Sequence, residues 1–267
     1  MIDYLIITLI GAGLGSFISM LSYRLPNHLE SDTTQLVKGL CGRSQCPHCH
    51  SNITWPMLIP LLSWLSNKGR SSCCQTPISW RYPLIELISS LLSIATFYLY
   101  SHHIDLVTTW YQSLEFWSLL TFSYLTLTIA IIDFEHYLIP DRLSIPLLWL
   151  GLLAASLGLP HWQVSLEHAL YGAVFGYTTL WLIFQLHRAI TGREGMGYGD
   201  FKLLAALGAW VGLHQVSLIF GISGALFILV ALIQQKLKPD HVMPFGPFLV
   251  ASAWILMVAS MLDYRFF

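Results

Sequence analysis

The most constraining feature of this sequence is a series of long apolar runs that contain no charged residue. Charged residues make up only 10% of the 267 residues, and apolar residues make up 55%. A helix needs about 20 mostly apolar residues to cross the hydrocarbon core of a bilayer. The runs of about this length or longer are 4–23, 87–104, 116–132, 143–166, 168–187, 203–235 and 241–262. The sequence therefore argues against a soluble globular protein.

One of these runs predicts two helices. The run 203–235 is too long for a single span, and Gly212-Leu213-His214-Gln215 within it is typical of a turn. We expect a short helix that begins near Phe201, followed by a full span. The predicted fold class is an all-α polytopic membrane protein with about eight transmembrane helices.

The basic residues predict the orientation of the chain. With the N-terminus outside, the inner loops hold all but one of the 13 Lys and Arg residues, and Arg265 is the exception. This distribution follows the positive-inside rule. We expect the first run to be a transmembrane span and not a cleaved signal peptide, because its positive charge follows the apolar residues instead of preceding them. A net charge of −1 gives no basic surface for nucleic acid.

This topology divides the chain into three parts: a first transmembrane segment at 1–23, a cytoplasmic cysteine-rich loop at 24–82 and a transmembrane core at 83–267. The loop carries every cysteine of the chain, and the reducing cytoplasm argues against disulfides. A tight C-x-x-C pair and a later vicinal pair are typical of a zinc site. The predicted ligands are Cys46, Cys49, Cys73 and Cys74.

Two alternatives remain open for this loop. His48 or His50 could replace one of the vicinal cysteines as the fourth ligand, because adjacent cysteines are awkward partners on one tetrahedral metal. The thiols could also be reduced and bind no metal. The fifth cysteine, Cys41, has no predicted role.

Two carboxylates lie at the inner ends of apolar spans. Asp133 follows the run 116–132 directly, and Asp200 ends the glycine-rich stretch 195–200. An acid at the edge of a membrane is costly, so it marks a candidate functional site. Asp200 could instead cap a helix that begins at Phe201, but three nearby glycines favour close approach to another segment. We expect Asp141 to be a helix N-cap.

Asp133 and Asp200 can meet, because both are predicted at the cytoplasmic ends of spans. Two carboxyl groups that share one proton can activate a water molecule against an amide carbonyl. The pair therefore predicts aspartic protease chemistry. A transporter that binds a cation or relays protons through the same two residues is the alternative from another class. A transporter gives no reason for a large cysteine loop.

Several short motifs, taken together in this order, resemble the type 4 prepilin peptidases over nearly the whole chain. They are Gly15-Ser16-Phe17, Arg24-Leu25-Pro26, the Cys46–Cys49 pair, residues 60–65, Ile78-Ser79, Arg81-Tyr82-Pro83, and residues 133–141, 195–200 and 244–248. Two departures occur. The family commonly has a second C-x-x-C pair, one position of which is Ser71 here, and it often has asparagine in place of Ser19. In the matched block after Arg81, we expect Glu86 to form a buried structural pair with an arginine.

The resemblance implies a bifunctional peptidase and N-methyltransferase. Asp133 matches the family's first catalytic aspartate, and Asp200 matches the aspartate of its Gly-x-Gly-Asp motif. The implied substrates are type IV prepilins and type II secretion pseudopilins, cleaved after the glycine that ends a short basic leader. The new N-terminal residue would be methylated with S-adenosyl-L-methionine.

The implied location is the bacterial inner membrane, with the chain in contact with lipid and the active site facing the cytoplasm. An intramembrane aspartic protease that acts on another membrane protein, without methyl transfer, is the nearest alternative.

Overall fold

The computed structural model describes residues 2–28, 39, 42–46, 48–103, 113–159, 164–192, 195–235 and 243–263. These residues are mainly helical, and they contain two isolated β-bridges. The α-helices are α1 (Ile2–Arg24), α2 (Leu62–Ser66), α3 (Arg81–His103), α4 (Leu114–His136), α5 (Asp141–Ser156), α6 (Leu166–Thr191), α7 (Tyr198–Gln235) and α8 (Gly246–Asp263). Short 3-10 helices occur at Pro26–His28 and Trp55–Leu58.

Five helices, α1, α3, α4, α6 and α7, are long and apolar enough to cross a membrane, and α8 is a shorter apolar helix. The backbone of Gly212 is non-helical (φ 79°, ψ 175°) and divides α7 into two halves. This confirms the predicted break of the run 203–235. With the two halves counted separately and α2 left out, the described residues form eight helical segments. The predicted polytopic helical fold is therefore confirmed.

Two helix boundaries differ from the expectation. The first half of α7 begins at Tyr198, before the expected Phe201. Helix α5 spans only 16 residues and ends at Ser156, well inside the apolar run 143–166. Its end is followed by Gly158, whose positive φ of 65° is incompatible with a continuing right-handed helix.

Two compact units make up the chain, and the first is Met1–His102. Small residues let α1 and α3 approach closely in this unit, because a Cβ at Gly15 would lie 2.8 Å from the Cα of Glu86. The guanidinium of Arg81 donates to the hydroxyl of Ser22 at 2.7 Å and to the carbonyl of Ser19 at 3.3 Å. These bonds join the beginning of α3 to the end of α1.

The second unit is His103–Phe267. Helix α6 packs along α7 through glycines, since a Cβ at Gly176 would lie 2.7 Å from the carbonyl oxygen of Leu204. The indole N–H of Trp210 donates to the carbonyl of Leu147 at 2.8 Å and joins α7 to α5. Backbone contact at glycines and a buried hydrogen bond therefore fix the position of the first half of α7.

Candidate active site and cysteine cluster

Asp133 lies in the last turn of α4 and is only 5% exposed. The helix ends at His136, and Tyr137 adopts a left-handed conformation that directs its N–H to the carbonyl of Asp133 at 2.9 Å. The Oδ2 atom of Asp133 accepts a hydrogen bond from the backbone N–H of Gly246 at 2.9 Å. A Cβ at position 246 would lie 2.6 Å from that oxygen, so any larger residue there would displace the carboxyl group of Asp133.

Asp200 lies in the first turn of α7 and is 8% exposed. Because the helix begins at Tyr198, Asp200 is a helical residue and does not cap a helix that starts at Phe201. The preceding Gly199 packs against Ile139, where an added Cβ would lie 2.7 Å from the Cβ of the isoleucine. The beginning of α7 is thereby held against the segment that connects α4 to α5.

The structure brings the two aspartates to one place in the second unit. Ile139 is buried, contacts Gly199 beside Asp200, and would also contact a Cβ at Gly246 at 3.3 Å. Gly246 in turn binds Asp133. The carboxyl groups of Asp133 and Asp200 are close enough to interact electrostatically. Asp133 and Asp200 are therefore neighbouring buried carboxyl groups from two different helices.

The three glycines before Asp200 differ in how closely they approach neighbouring atoms. A Cβ at Gly195 would lie 2.8 Å from the ring of His187, so Gly195 allows a close approach, as Gly199 does. A Cβ at Gly197 would make an ordinary contact of 3.6 Å with Oδ2 of Asp200. The expected close approach is confirmed at two of the three glycines, and packing does not require the third.

The expectation for Asp141 is wrong in detail. Pro140 is the N-cap of α5, and Asp141 is the first helical residue. Both Oδ atoms of Asp141 accept hydrogen bonds at 2.7 Å from the ammonium group of Lys202, which lies in α7 two residues beyond Asp200. The carboxylate therefore joins the beginnings of α5 and α7 instead of capping its own helix.

Four thiols converge in the loop before α3. All four Sγ atoms lie within 4.8 Å of one another, and they belong to Cys46, Cys49, Cys73 and Cys74. The Sγ atoms are 3.3 Å apart in the Cys49–Cys73 pair and 3.6 Å apart in the Cys46–Cys74 pair. Neither His48 nor His50, both within the described residues, belongs to this cluster. The cluster could bind a metal ion.

Two similar turns carry the cysteines. An isolated bridge between Gln45 and Asn52 closes the first turn, and one between Arg70 and Pro77 closes the second. Ser71 occupies the place in the second turn that Cys46 has in the first. Its hydroxyl lies 2.9 Å from the Sγ of Cys73. The vicinal cysteine thus supplies the sulfur that a second C-x-x-C pair would have placed at Ser71.

Hydrogen bonds favour the thiolate form of two of the four cysteines in this cluster. The backbone N–H groups of Cys49 and His48 lower the pKa of Cys46 from 9.0 to about 7. The hydroxyls of Ser51 and Ser71 lower the pKa of Cys73 to about 6. The pKa of Cys49 is raised, because the hydrogen bonds from Ser51 that lower it are outweighed by the Cys73 side chain together with burial and the Cys46 side chain. Because the thiolate is the form that binds metal, a cluster of four sulfurs in which two favour that form fits Zn²⁺. Cys41 and Arg265 lie outside the described residues.

Comparison with known proteins identifies relatives over both units. Residues 9–100 match the model described as Bacterial Peptidase A24 N-terminal domain, and residues 120–233 match the Type IV leader peptidase family. The chain is 38% identical to the prepilin leader peptidase/N-methyltransferase of Stutzerimonas stutzeri, covering 93% of this chain and 88% of the relative. It is 39% identical to that of Dickeya chrysanthemi, covering 97% and 93%. No solved structure matches the chain.

The helical membrane fold and these matches together define a polytopic membrane protein of the leader peptidase class. The chain belongs to the prepilin leader peptidase/N-methyltransferase family.

Proposed function

We propose that this protein removes the short basic leader of type IV prepilins and type II secretion pseudopilins, with Asp133 and Asp200 as the catalytic pair. The observation that carries the proposal is that two buried carboxyl groups from different helices are brought together through the contacts of Gly246 and Ile139. Buried acids in a membrane protein are costly and are retained for function. The family of the chain supplies the substrate class, which is a membrane protein precursor with an apolar helix directly after its leader.

Cleavage of the amide bond requires that one of the two aspartates is protonated and the other is deprotonated. The deprotonated carboxylate accepts a proton from water, and the protonated partner donates a hydrogen bond to the scissile carbonyl. The resulting tetrahedral intermediate breaks its C–N bond as the leaving nitrogen receives a proton. The N–H of Gly246 binds one oxygen of Asp133, so it orients that carboxyl group and leaves the other oxygen for the water molecule.

The reaction takes place on the cytoplasmic side of the bacterial inner membrane in this proposal. The positive-inside distribution supports this orientation, because it puts the inner ends of the Asp133 and Asp200 helices in the cytoplasm. A prepilin can then keep its apolar helix in lipid while its basic leader remains in water. Cleavage after the last glycine of the leader would release the new N-terminal residue at this surface.

The second activity is methylation of that new N-terminus with S-adenosyl-L-methionine. The names of the relatives support it. We propose no residues for donor binding. We also propose that the loop 24–82 lies between the first span 1–23 and a transmembrane core at 83–267 that performs the proteolysis.

The four cysteines bind one structural Zn²⁺ in this proposal. Four sulfurs at mutual distances within 4.8 Å can surround one tetrahedral ion. When bound, the zinc would connect the two cysteine turns and contribute folding free energy to this loop. The thiolates of Cys46 and Cys73, with their lowered pKa values, would neutralise the charge of the ion.

The test is an assay of the purified protein on a prepilin, with and without S-adenosyl-L-methionine, read by mass spectrometry of the pilin N-terminus. We expect leader removal in both samples and one added methyl group only with the donor. Intact prepilin in both samples would contradict the peptidase assignment. Leader removal without any methylation would support the alternative of a membrane aspartic protease that lacks methyl transfer.

A further inference from the structure

A group of large apolar side chains is exposed in the loop before α3. Leu62 and Leu65 are 66% and 68% exposed, and Trp80 is 72% exposed. The two leucines lie three residues apart and therefore share one face of α2. Leu58 and Ile59, just before α2, are exposed as well. We call these five residues the loop apolar surface, and a surface of this kind marks a contact with a partner or a membrane.

A hydrogen bond fixes the depth of this surface relative to the α3 span. The backbone N–H of Leu61, which precedes α2, donates to Oε2 of Glu86 at 2.8 Å. Glu86 lies five residues beyond Arg81, where the candidate span begins, which is about 7.5 Å along the helix at a rise of 1.5 Å per residue. The backbone at Leu61 is therefore level with the first turns of the span and not beyond its end.

The same bond explains why a carboxylate is buried inside a span. Leu61 has a positive φ of 59° and is not helical, and a backbone N–H without a partner is costly at membrane depth. Glu86 is buried and provides the acceptor, and its carboxylate also bonds to Ser16. Neither partner is an arginine, so the expected pairing with an arginine is not found among the residues that the structure describes. Glu86 instead permits a backbone turn at the edge of the membrane.

The residues around α2 have the distribution of a membrane interface. The rings of Trp64 and Trp80 are 4.2 Å apart, and the indole N–H of Trp64 donates to the carbonyl of Ile78 at 3.5 Å. Tryptophan is enriched where hydrocarbon meets water. Lys68 and Arg70 follow α2 and are exposed, and such cations attract anionic headgroups.

We propose that the loop apolar surface inserts into the bilayer interface beside the beginning of α3 and anchors the cysteine cluster at the membrane. Its continuity with the span supports lipid as the occupant, because Trp80 immediately precedes the first residue of α3. Arg70, four residues after α2 ends, forms the bridge that closes the second cysteine turn. The anchor therefore limits how far the cluster can move away from the bilayer.

The test measures the depth of single positions in the full-length protein. A fluorescent amino acid replaces Leu62 or Leu65, or Ser72 as an exposed control in the second cysteine turn. The proteins are reconstituted into phosphatidylethanolamine and phosphatidylglycerol vesicles whose acyl chains are brominated near their carboxyl ends. We expect bromine quenching to be at least about twofold stronger at positions 62 and 65 than at 72, and aqueous iodide to show the reverse order.

Equal bromine quenching at all three positions would overturn the proposal. If prepilin addition abolished the quenching at position 62, the surface would be a binding site for the apolar helix of the substrate, which would also overturn it. Glu86→Gln keeps an acceptor for Leu61 and should preserve the quenching at 62, whereas Glu86→Leu should reduce it. None of these measurements uses peptidase activity, so the anchor and the proposed function can fail separately.

Discussion

Replacing Gly208 with alanine should separate α6 from α7 and move the first turn of α7. A Cβ at Gly208 would contact the carbonyl oxygen of Gly172 and lie 2.5 Å from its carbonyl carbon. Ordinary contacts of a Cβ begin at 3.4 Å, so the backbones must separate by about 0.9 Å (3.4 − 2.5). Both groups are helical backbone, and neither can rotate away as a side chain could.

The expected loss of stability follows from this overlap. Overfilling a packed interior typically costs about 1–3 kcal/mol. Contact with rigid backbone favours the upper half of that range, and we expect about 2–3 kcal/mol. The effect on catalysis should be larger than the stability loss alone suggests. Asp200 lies eight residues before Gly208 in the same half of α7, about 12 Å along the axis, so a displacement of the helix reaches the carboxyl group.

A displacement near 1 Å at a catalytic group can reduce the rate by about 100-fold. The assays are thermal unfolding in detergent and the initial rate of prepilin cleavage in vesicles. Gly221→Ala is the matched control, because it lies in the second half of α7 and a Cβ there would meet no atom within 4 Å. It should leave both measurements near the parental values. Parental stability and cleavage in Gly208→Ala would refute this account of how α6 positions α7.

Three further perturbations test other contacts. Gly246→Ala should reduce cleavage at least as strongly as Gly208→Ala, because the added Cβ would lie 2.6 Å from the Oδ2 atom of Asp133. A parental cleavage rate in this variant would contradict the prediction. Lys202→Met should reduce cleavage by no more than about fivefold, because an exposed ion pair contributes at most about 1 kcal/mol. Exchanging the two residues, as Lys202→Asp with Asp141→Lys, should restore part of the lost cleavage rate. Cys46→Ser with Cys49→Ser should remove the bound zinc, measured by elemental analysis, and reduce methylation at least as much as cleavage; a full complement of zinc would contradict the ligand assignment.

The fold was largely predictable because membrane spans depend on local composition. Long charge-free runs are properties of consecutive residues, and the stretch Gly212-Leu213-His214-Gln215 marked the break at Gly212. The length of α5 was not predictable in this way. The apolar run continues past Ser156, while the backbone turns at Gly158, and hydropathy does not report that turn.

The contacts around the candidate site depend on residues that are distant in the sequence. Gly246 binds Asp133 across 113 positions, and although it lies in the matched motif 244–248, nothing in that motif predicts which residue it binds. Lys202 and Asp141 pair across 61 positions, so a local rule assigned Asp141 to a helix cap. Sequence patterns predicted candidates for the chemical groups, but the contacts that orient these groups could be found only in the folded chain.

The most direct test of the central claim is cleavage of a prepilin by Asp133→Asn and Asp200→Asn, compared at equal protein levels in the membrane. An amide cannot transfer the proton that the reaction requires, so the cleavage rate of each variant should fall by about 100- to 10,000-fold. Asp141→Asn is the control and should lose far less, because its side chain is half exposed and pairs with Lys202. Both catalytic variants should still methylate a pre-cleaved pilin, which would exclude misfolding as the cause. Cleavage near the parental rate by either asparagine variant at 133 or 200 would contradict the assignment of the catalytic pair.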